Sequence, residues 1–112
     1  MTNYDFGDLV LVPFPFTDQT TTKKRPAIVV SSATYNSERP DLVLMAVTSQ
    51  TKLSTSFGEV TVSKWKLAGL IKPSVIKPIF TTVEKGLILR RLGQLQGKDK
   101  QALQKTLQSI LG

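Results

Sequence analysis

The chain has no cysteine and no histidine. Without cysteine there is no disulfide, no thiolate metal site and no cysteine nucleophile. Without histidine the usual general base near neutral pH is missing. A Ser-His-Asp triad, a Cys-His pair and a histidine-ligated zinc are therefore impossible within the chain. The eight carboxylates do not cluster along the sequence, so neither a metal nor a cofactor is expected. No apolar run approaches the roughly 18 residues that a membrane span requires, and no membrane partner is expected. The first eight residues lack a basic stretch followed by an apolar one, so no signal peptide is expected. A cysteine-free chain suits a reducing compartment, and a cytoplasmic location is the expectation.

The 112 residues are 40% hydrophobic, enough to build one core and too apolar for a disordered chain. A single domain spanning 1–112 is expected. The net charge of +7 is unevenly spread. Residues 1–60 carry five cations and six carboxylates, whereas residues 61–112 carry ten cations and only Glu84 and Asp99. A cationic half points to a polyanionic partner, either nucleic acid or an acidic protein segment.

Strand signals come first and the clearest helix last. Residues 9–16 (LVLVPFPF) form an apolar run in which Pro13 and Pro15 remove backbone donors. A strand there should end near Val12 or lie at an edge. Residues 17–24 (TDQTTTKK) read as a polar loop. Strands are expected at 27–30 and 42–48, with a loop over 31–41 between them. A fourth strand is expected at 57–62, and residues 63–69 form a helical turn capped by Ser63 and ended by Gly69. A fifth strand starts at 74–76, is bulged at Pro78 and continues through 80–83. Glu84-Lys85-Gly86 reads as a hairpin turn leading to a sixth strand at 87–95. Residues 98–111 carry Leu103, Leu107, Ile110 and Leu111 at i, i+4, i+7 and i+8, one apolar helical stripe. Asp99 sits in the first turn, where a carboxylate suits the helix dipole. The fold class is mainly β (α+β), a small barrel with a C-terminal amphipathic helix.

Three stretches carry a family resemblance: Gly7-Asp8-Leu9-Val10 with Pro13-Phe14-Pro15-Phe16-Thr17-Asp18, then Lys24-Arg25-Pro26-Ala27-Ile28-Val29-Val30-Ser31, then Val47-Thr48-Ser49-Gln50. Gly69-Leu70, Ser74-Val75-Ile76, Thr82-Val83-Glu84 and Leu92-Gly93 extend the match toward the C-terminus. In order and spacing the chain resembles the MazF/PemK toxins of type II toxin-antitoxin systems. The resemblance implies an SH3-like β-barrel of the MazF/CcdB/Kid type. It implies a metal-independent, sequence-selective endoribonuclease acting on single-stranded RNA. It also implies a homodimer and a proteinaceous antitoxin with an acidic segment.

RNA can be cut by its own 2′-hydroxyl, so such a protein must position ribose and phosphate and neutralise the phosphate oxygens. Arg25 offers a planar fork for those oxygens. By the resemblance it is a catalytic position, and Thr48 is the second. Gln50, two residues on, faces the same way if the strand persists. The loop residues Thr17, Asp18, Gln19, Lys23 and Lys24 correspond to the segment that covers RNA in the family. Asp18 is its only carboxylate and reads better as a turn former than as a general base. Most aromatics should be core, with Phe16 and Tyr35 the better candidates for stacking on bases. Trp65 reads as a packing or partner contact. Arg90 and Arg91, adjacent in a strand, should point to opposite faces. Residues 77–82 (KPIFTT) replace a stretch that is more polar in the family, so no family role is carried over to them.

Two other readings fit parts of this pattern. One is a non-enzymatic, CcdB-like inhibitor of DNA gyrase. The other is an RNA-binding module without chemistry, which would bind RNA with steep salt dependence and leave it intact.

Overall fold

The apolar runs of the first half become the central strands of one curled antiparallel sheet. The structure, a computed structural model, describes residues 3–14, 23–50 and 55–112. Its strands are β1 (Asp8–Phe14), β2 (Lys23–Val29), β3 (Asp41–Ser49), β4 (Val60–Val62), β5 (Ser74–Glu84) and β6 (Arg90–Gln94). Their order is β4-β5-β3-β2-β1-β6, and every pairing is antiparallel. A short helix, α1 (Ala33–Glu38), joins β2 to β3, and a long one, α2 (Gly97–Leu111), follows β6. The fold is mainly β: a half-barrel with a C-terminal helix.

The central strands are covered on both sides, which explains their continuous rather than alternating apolar sequence. Leu9, Ile28, Met45, Val47 and Ile76 pack on one side with Leu103 of α2. Val10, Val12, Ala27, Val29, Leu44 and Ala46 form a second cluster on the other. Irregular registers at Leu9/Val10 and at Met45/Val47 mark the places where the sheet bends. At the second, Ala46 alone faces Lys77, Pro78 and Ile79, because Met45 pairs with Phe80 and Val47 with Ile76. Pro78, which has no donor to give, thus sits in a bulge, as its sequence context predicts. Pro13 is accommodated differently. β1 pairs with β6 only over Asp8–Leu11, so at Pro13 one side of β1 is an edge.

Four expectations need correction. Residues 31–41 are not all loop. Ser32 accepts the Tyr35 N–H at 3.1 Å and starts α1. Buried Asn36 donates to the carbonyls of Tyr4 and Ser31. This helix is fixed by polar bonds and one capping hydroxyl, so no apolar period announces it. β2 begins at Lys23 rather than 27, because β1 continues to pair with it through Pro13↔Lys24 and Phe14↔Lys23. β4 is only three residues long. Residues 56–59 are instead turned back by bonds between Ser56 and Glu59, and Phe57 is 81% exposed rather than core. Finally, residues 84–86 are not a hairpin. Lys85–Leu87 is a 3₁₀ turn, and the chain crosses from β5, which pairs with β3 and β4, to β6, which pairs with β1. The Lys85 N–H bonds to Pro40 and the Leu89 N–H to Leu11, steering that crossing.

In α2, Leu103 is buried and Leu107 and Ile110 are half-buried, whereas Leu111, the last member of the stripe, is exposed.

Candidate functional site

β2 serves two partners over different lengths. It pairs with β1 over Lys23–Ile28 but with β3 only at Ala27↔Ala46, Ile28↔Met45 and Val29↔Leu44. Beyond Ala27 the β2–β3 ladder ends. The same register, continued, sets Arg25 level with Thr48. Here the two strands part, and a cavity of about 370 Å³ opens between them. Pro26 contributes twice to this geometry. It has no N–H to donate toward β3, and it restricts Arg25 before it to an extended conformation.

Lys23, Lys24, Arg25 and Pro26 of β2 line the cavity, together with Val47, Thr48 and Ser49 of β3. Leu70, Ile71, Lys72 and Ser74, from the connection between β4 and β5, complete it. Arg25 is half-buried, whereas Lys23, Lys24 and Lys72 are exposed. The Thr48 hydroxyl lies at the end of its strand and donates to the Ser49 carbonyl at 3.1 Å. Ser74 is buried and donates to the Lys72 carbonyl at 2.8 Å.

Among the described residues the charge that lines the cavity is of one sign. Four cations and, among the described residues, no carboxylate line the cavity. Away from the cavity, Asp8 pairs with Arg91, Asp41 with Arg39, and Glu59 with Lys77. Concentrated like charge in a concave site with low-dielectric walls attracts anions. No group of three acidic side chains that could hold a metal occurs among the described residues.

Of the residues expected from the sequence, Arg25, Thr48, Lys23 and Lys24 come together in this cavity. Gln50 lies just past it. Its N–H donates to the Pro73 carbonyl at 2.9 Å, and it is not among the lining residues. Phe16, Thr17, Asp18 and Gln19 lie outside the described residues. Tyr35 stands elsewhere, with its hydroxyl on Asp41 and its ring lining an apolar cavity of about 340 Å³ with Phe80, Leu107 and Leu111. Trp65 packs half-buried against the core. Arg90 and Arg91 are both exposed; Arg91 pairs with Asp8 at 3.1 Å and lies over the Tyr4 ring. Ser49, Leu70, Ile71, Lys72 and Ser74 were not expected. Their common signal is proximity to Gly69-Leu70 and Ser74-Val75-Ile76, but only the β3–β5 register (Thr48↔Val75, Ser49↔Ser74) brings them to Arg25. A larger cavity of about 480 Å³ beside α1 gathers Asn3, Asp5, Asn36 and Lys85 without such a concentration of charge.

The model of a family described as PemK-like, MazF-like toxins of type II toxin-antitoxin systems matches residues 5–111. The chain belongs to that family. Comparison with curated protein sequences gives no match. Among solved structures, the chain resembles an endoribonuclease in complex with its cognate antitoxin from a mycobacterial species. That match has 16% identity and a TM-score of 0.76 and covers 100% of this chain and 96% of the other. The toxin MazF-mt6 of Mycobacterium tuberculosis matches at 18% identity and a TM-score of 0.73, over 93% of this chain and 95% of that one. MazF of Deinococcus radiodurans matches at 24% identity and a TM-score of 0.75, over 100% and 99%. These likenesses establish a shared fold. No helix among the described residues is long and apolar enough to cross a membrane.

Proposed function

We propose that this toxin is a metal-independent, sequence-selective endoribonuclease that cuts single-stranded RNA in the cavity between β2 and β3. The observation that carries the proposal is the convergence of Arg25 and Thr48 on one cation-lined cavity. In the reaction the 2′-oxygen forms a bond to the adjacent phosphorus and the bond to the 5′-oxygen breaks. The 2′-OH proton is lost, and the leaving 5′-oxygen gains one. The products are a 2′,3′-cyclic phosphate and a 5′-hydroxyl.

Arg25 supplies paired N–H donors to the non-bridging oxygens, where charge accumulates. It stays protonated, so its role is electrostatic. Thr48 holds a phosphate oxygen or the 2′-OH through its hydroxyl. Lys23 and Lys24 attract and orient the backbone. Phe16, Thr17, Asp18, Gln19 and Gln50 complete the RNA contacts in this reading. A site that works by positioning and charge, without an assigned general base, supports modest turnover, which is enough to arrest growth. The family and the endoribonuclease–antitoxin complex support a proteinaceous antitoxin as partner. Its acidic segment would occupy the cationic cavity of a homodimeric, cytoplasmic toxin.

The test is incubation of antitoxin-free protein with single-stranded RNA and with its DNA copy in excess EDTA, with product ends read by mass spectrometry. Discrete RNA fragments ending in cyclic or 3′-phosphate, with the DNA copy intact, are expected. Intact RNA across a broad set of sequences would leave a gyrase-type inhibitor or a binding module.

A further inference from the structure

Past Thr48, the cavity is lined by the connection between the helical turn at 63–69 and β5. Ile71 of that connection is 89% exposed, more than any other large hydrophobic among the described residues. A lone exposed isoleucine is ordinary on a protein surface. This one lines a cavity that carries four cations, and Lys72 follows it directly.

The segment is pinned at both ends. The Leu70 N–H donates to the Trp65 carbonyl and the Gly69 N–H to Lys66, the paired bonds of a Schellman closure, with Gly69 at φ 97°. On the other side the Pro73 carbonyl accepts from Gln50 and the Lys72 carbonyl from Ser74. Leu70 itself is buried in the core. The backbone that carries Ile71 and Lys72 is thus fixed on both sides, so binding there need order only the two side chains.

We propose that Ile71 and Lys72 form an accessory subsite for the nucleotide next to the one that is cut, with its base against Ile71 and its phosphate on Lys72. The proposal rests on the ribonuclease reading of the same cavity. An aliphatic face beside a cation matches a nucleotide, which is a flat apolar ring joined to an anion. An acidic peptide would gain from Lys72 but not from Ile71. The subsite binds by face and charge, so it adds affinity for any base at that position and leaves the choice of cleavage sequence to other contacts.

Two measurements test this on the full chain, with Lys72→Met and Ile71→Ser as variants and Lys72→Arg and Ile71→Leu as conservative controls. First, cleaved oligonucleotides are lengthened one nucleotide at a time at either end. One added nucleotide should raise wild-type kcat/KM several-fold, less than a base stacked on an aromatic ring would give. It should do so far less in the two variants, with the loss in KM, and the controls should restore it. Second, a DNA copy serves as an uncleavable ligand, and its affinity is followed against salt. Lys72→Met should lower the slope of log K against log salt by about 0.7, one phosphate contact. If the wild type cleaves RNA but both variants keep the length effect and the salt slope, the subsite is wrong and the ribonuclease reading stands. If nothing is cleaved, the ribonuclease reading fails and the subsite with it, and a salt slope that still falls in Lys72→Met would show only a phosphate contact of a binding module. If Lys72→Met weakens only an acidic peptide, the subsite is overturned in favour of a protein contact.

Discussion

The buried carboxylate of Asp99, in the first turn of α2, accepts the backbone N–H of Lys64 at 2.9 Å across 35 residues of sequence. It caps the helical turn at 63–69 from outside, a task that the sequence assigns to Ser63. A charged acceptor on an otherwise unpaired turn N–H contributes about 1.5–3 kcal/mol. Asp99→Ala should cost that much in chemical denaturation, and Asp99→Asn, which keeps an acceptor, clearly less. Equal losses would assign the effect to helix α2 alone.

Ala68 and Gly93 press backbone against backbone. A Cβ on Gly93 would stand 2.1 Å from the Ala68 carbonyl oxygen, and one on Gly69 would stand 2.2 Å from that of Leu92. Neither neighbour is a flexible side chain that could swing aside. Gly93→Ala should therefore cost about 3 kcal/mol, at the upper end of overpacking. Gly97→Ala, where a Cβ meets nothing within 4 Å, should be neutral or stabilise by up to about 1 kcal/mol. Thermal melts of the two variants would separate them, and similar melting temperatures would contradict this packing.

Asp41 has its pKa lowered, chiefly by the hydrogen bond from Arg39 and further by one from the Tyr35 hydroxyl, with desolvation opposing. A carboxyl whose folded pKa is depressed stabilises the protein above its unfolded pKa. That contribution fades as pH falls toward the folded value. Asp41→Asn should therefore lower stability at pH 7 and converge with the wild type as pH falls below about 4, flattening the acid limb. A variant that loses stability equally at both would show that shape rather than charge matters at this position.

The elements that the sequence predicts well are those with a strong apolar signature: β1, the core of β2, β3 and α2. Helix α1 was hidden because its bonds are polar, through Ser32 and Asn36. The crossing from β5 to β6 was hidden because Glu84-Lys85-Gly86 has the composition of a hairpin, while strand order is decided by long-range pairing. The site divided along the same line. Arg25 and Thr48 lie within recognisable segments, Arg25 in β2 beside Pro26 and Thr48 near the end of β3. Ile71 and Lys72 sit in a stretch without periodicity and reach the cavity only through the β3–β5 register.

Thr48 separates shape from chemistry. Thr48→Val keeps the β-branched form and removes the hydroxyl that now rests on the Ser49 carbonyl. The single-turnover cleavage rate should fall roughly 10- to 100-fold, and Thr48→Ser should retain most of it. If valine cleaves as well as threonine, the residue only closes its strand.

The most direct test of the account is the single-turnover cleavage rate of one mapped RNA substrate by the wild type, Arg25→Lys and Arg25→Ala, each shown to be folded. Arg25→Ala should be slower by about 100-fold or more. Arg25→Lys should recover only part of that, because an ammonium cannot present a planar fork. Equal rates for all three would contradict a catalytic role for Arg25 and the assignment of the cavity between β2 and β3 as the site of chemistry.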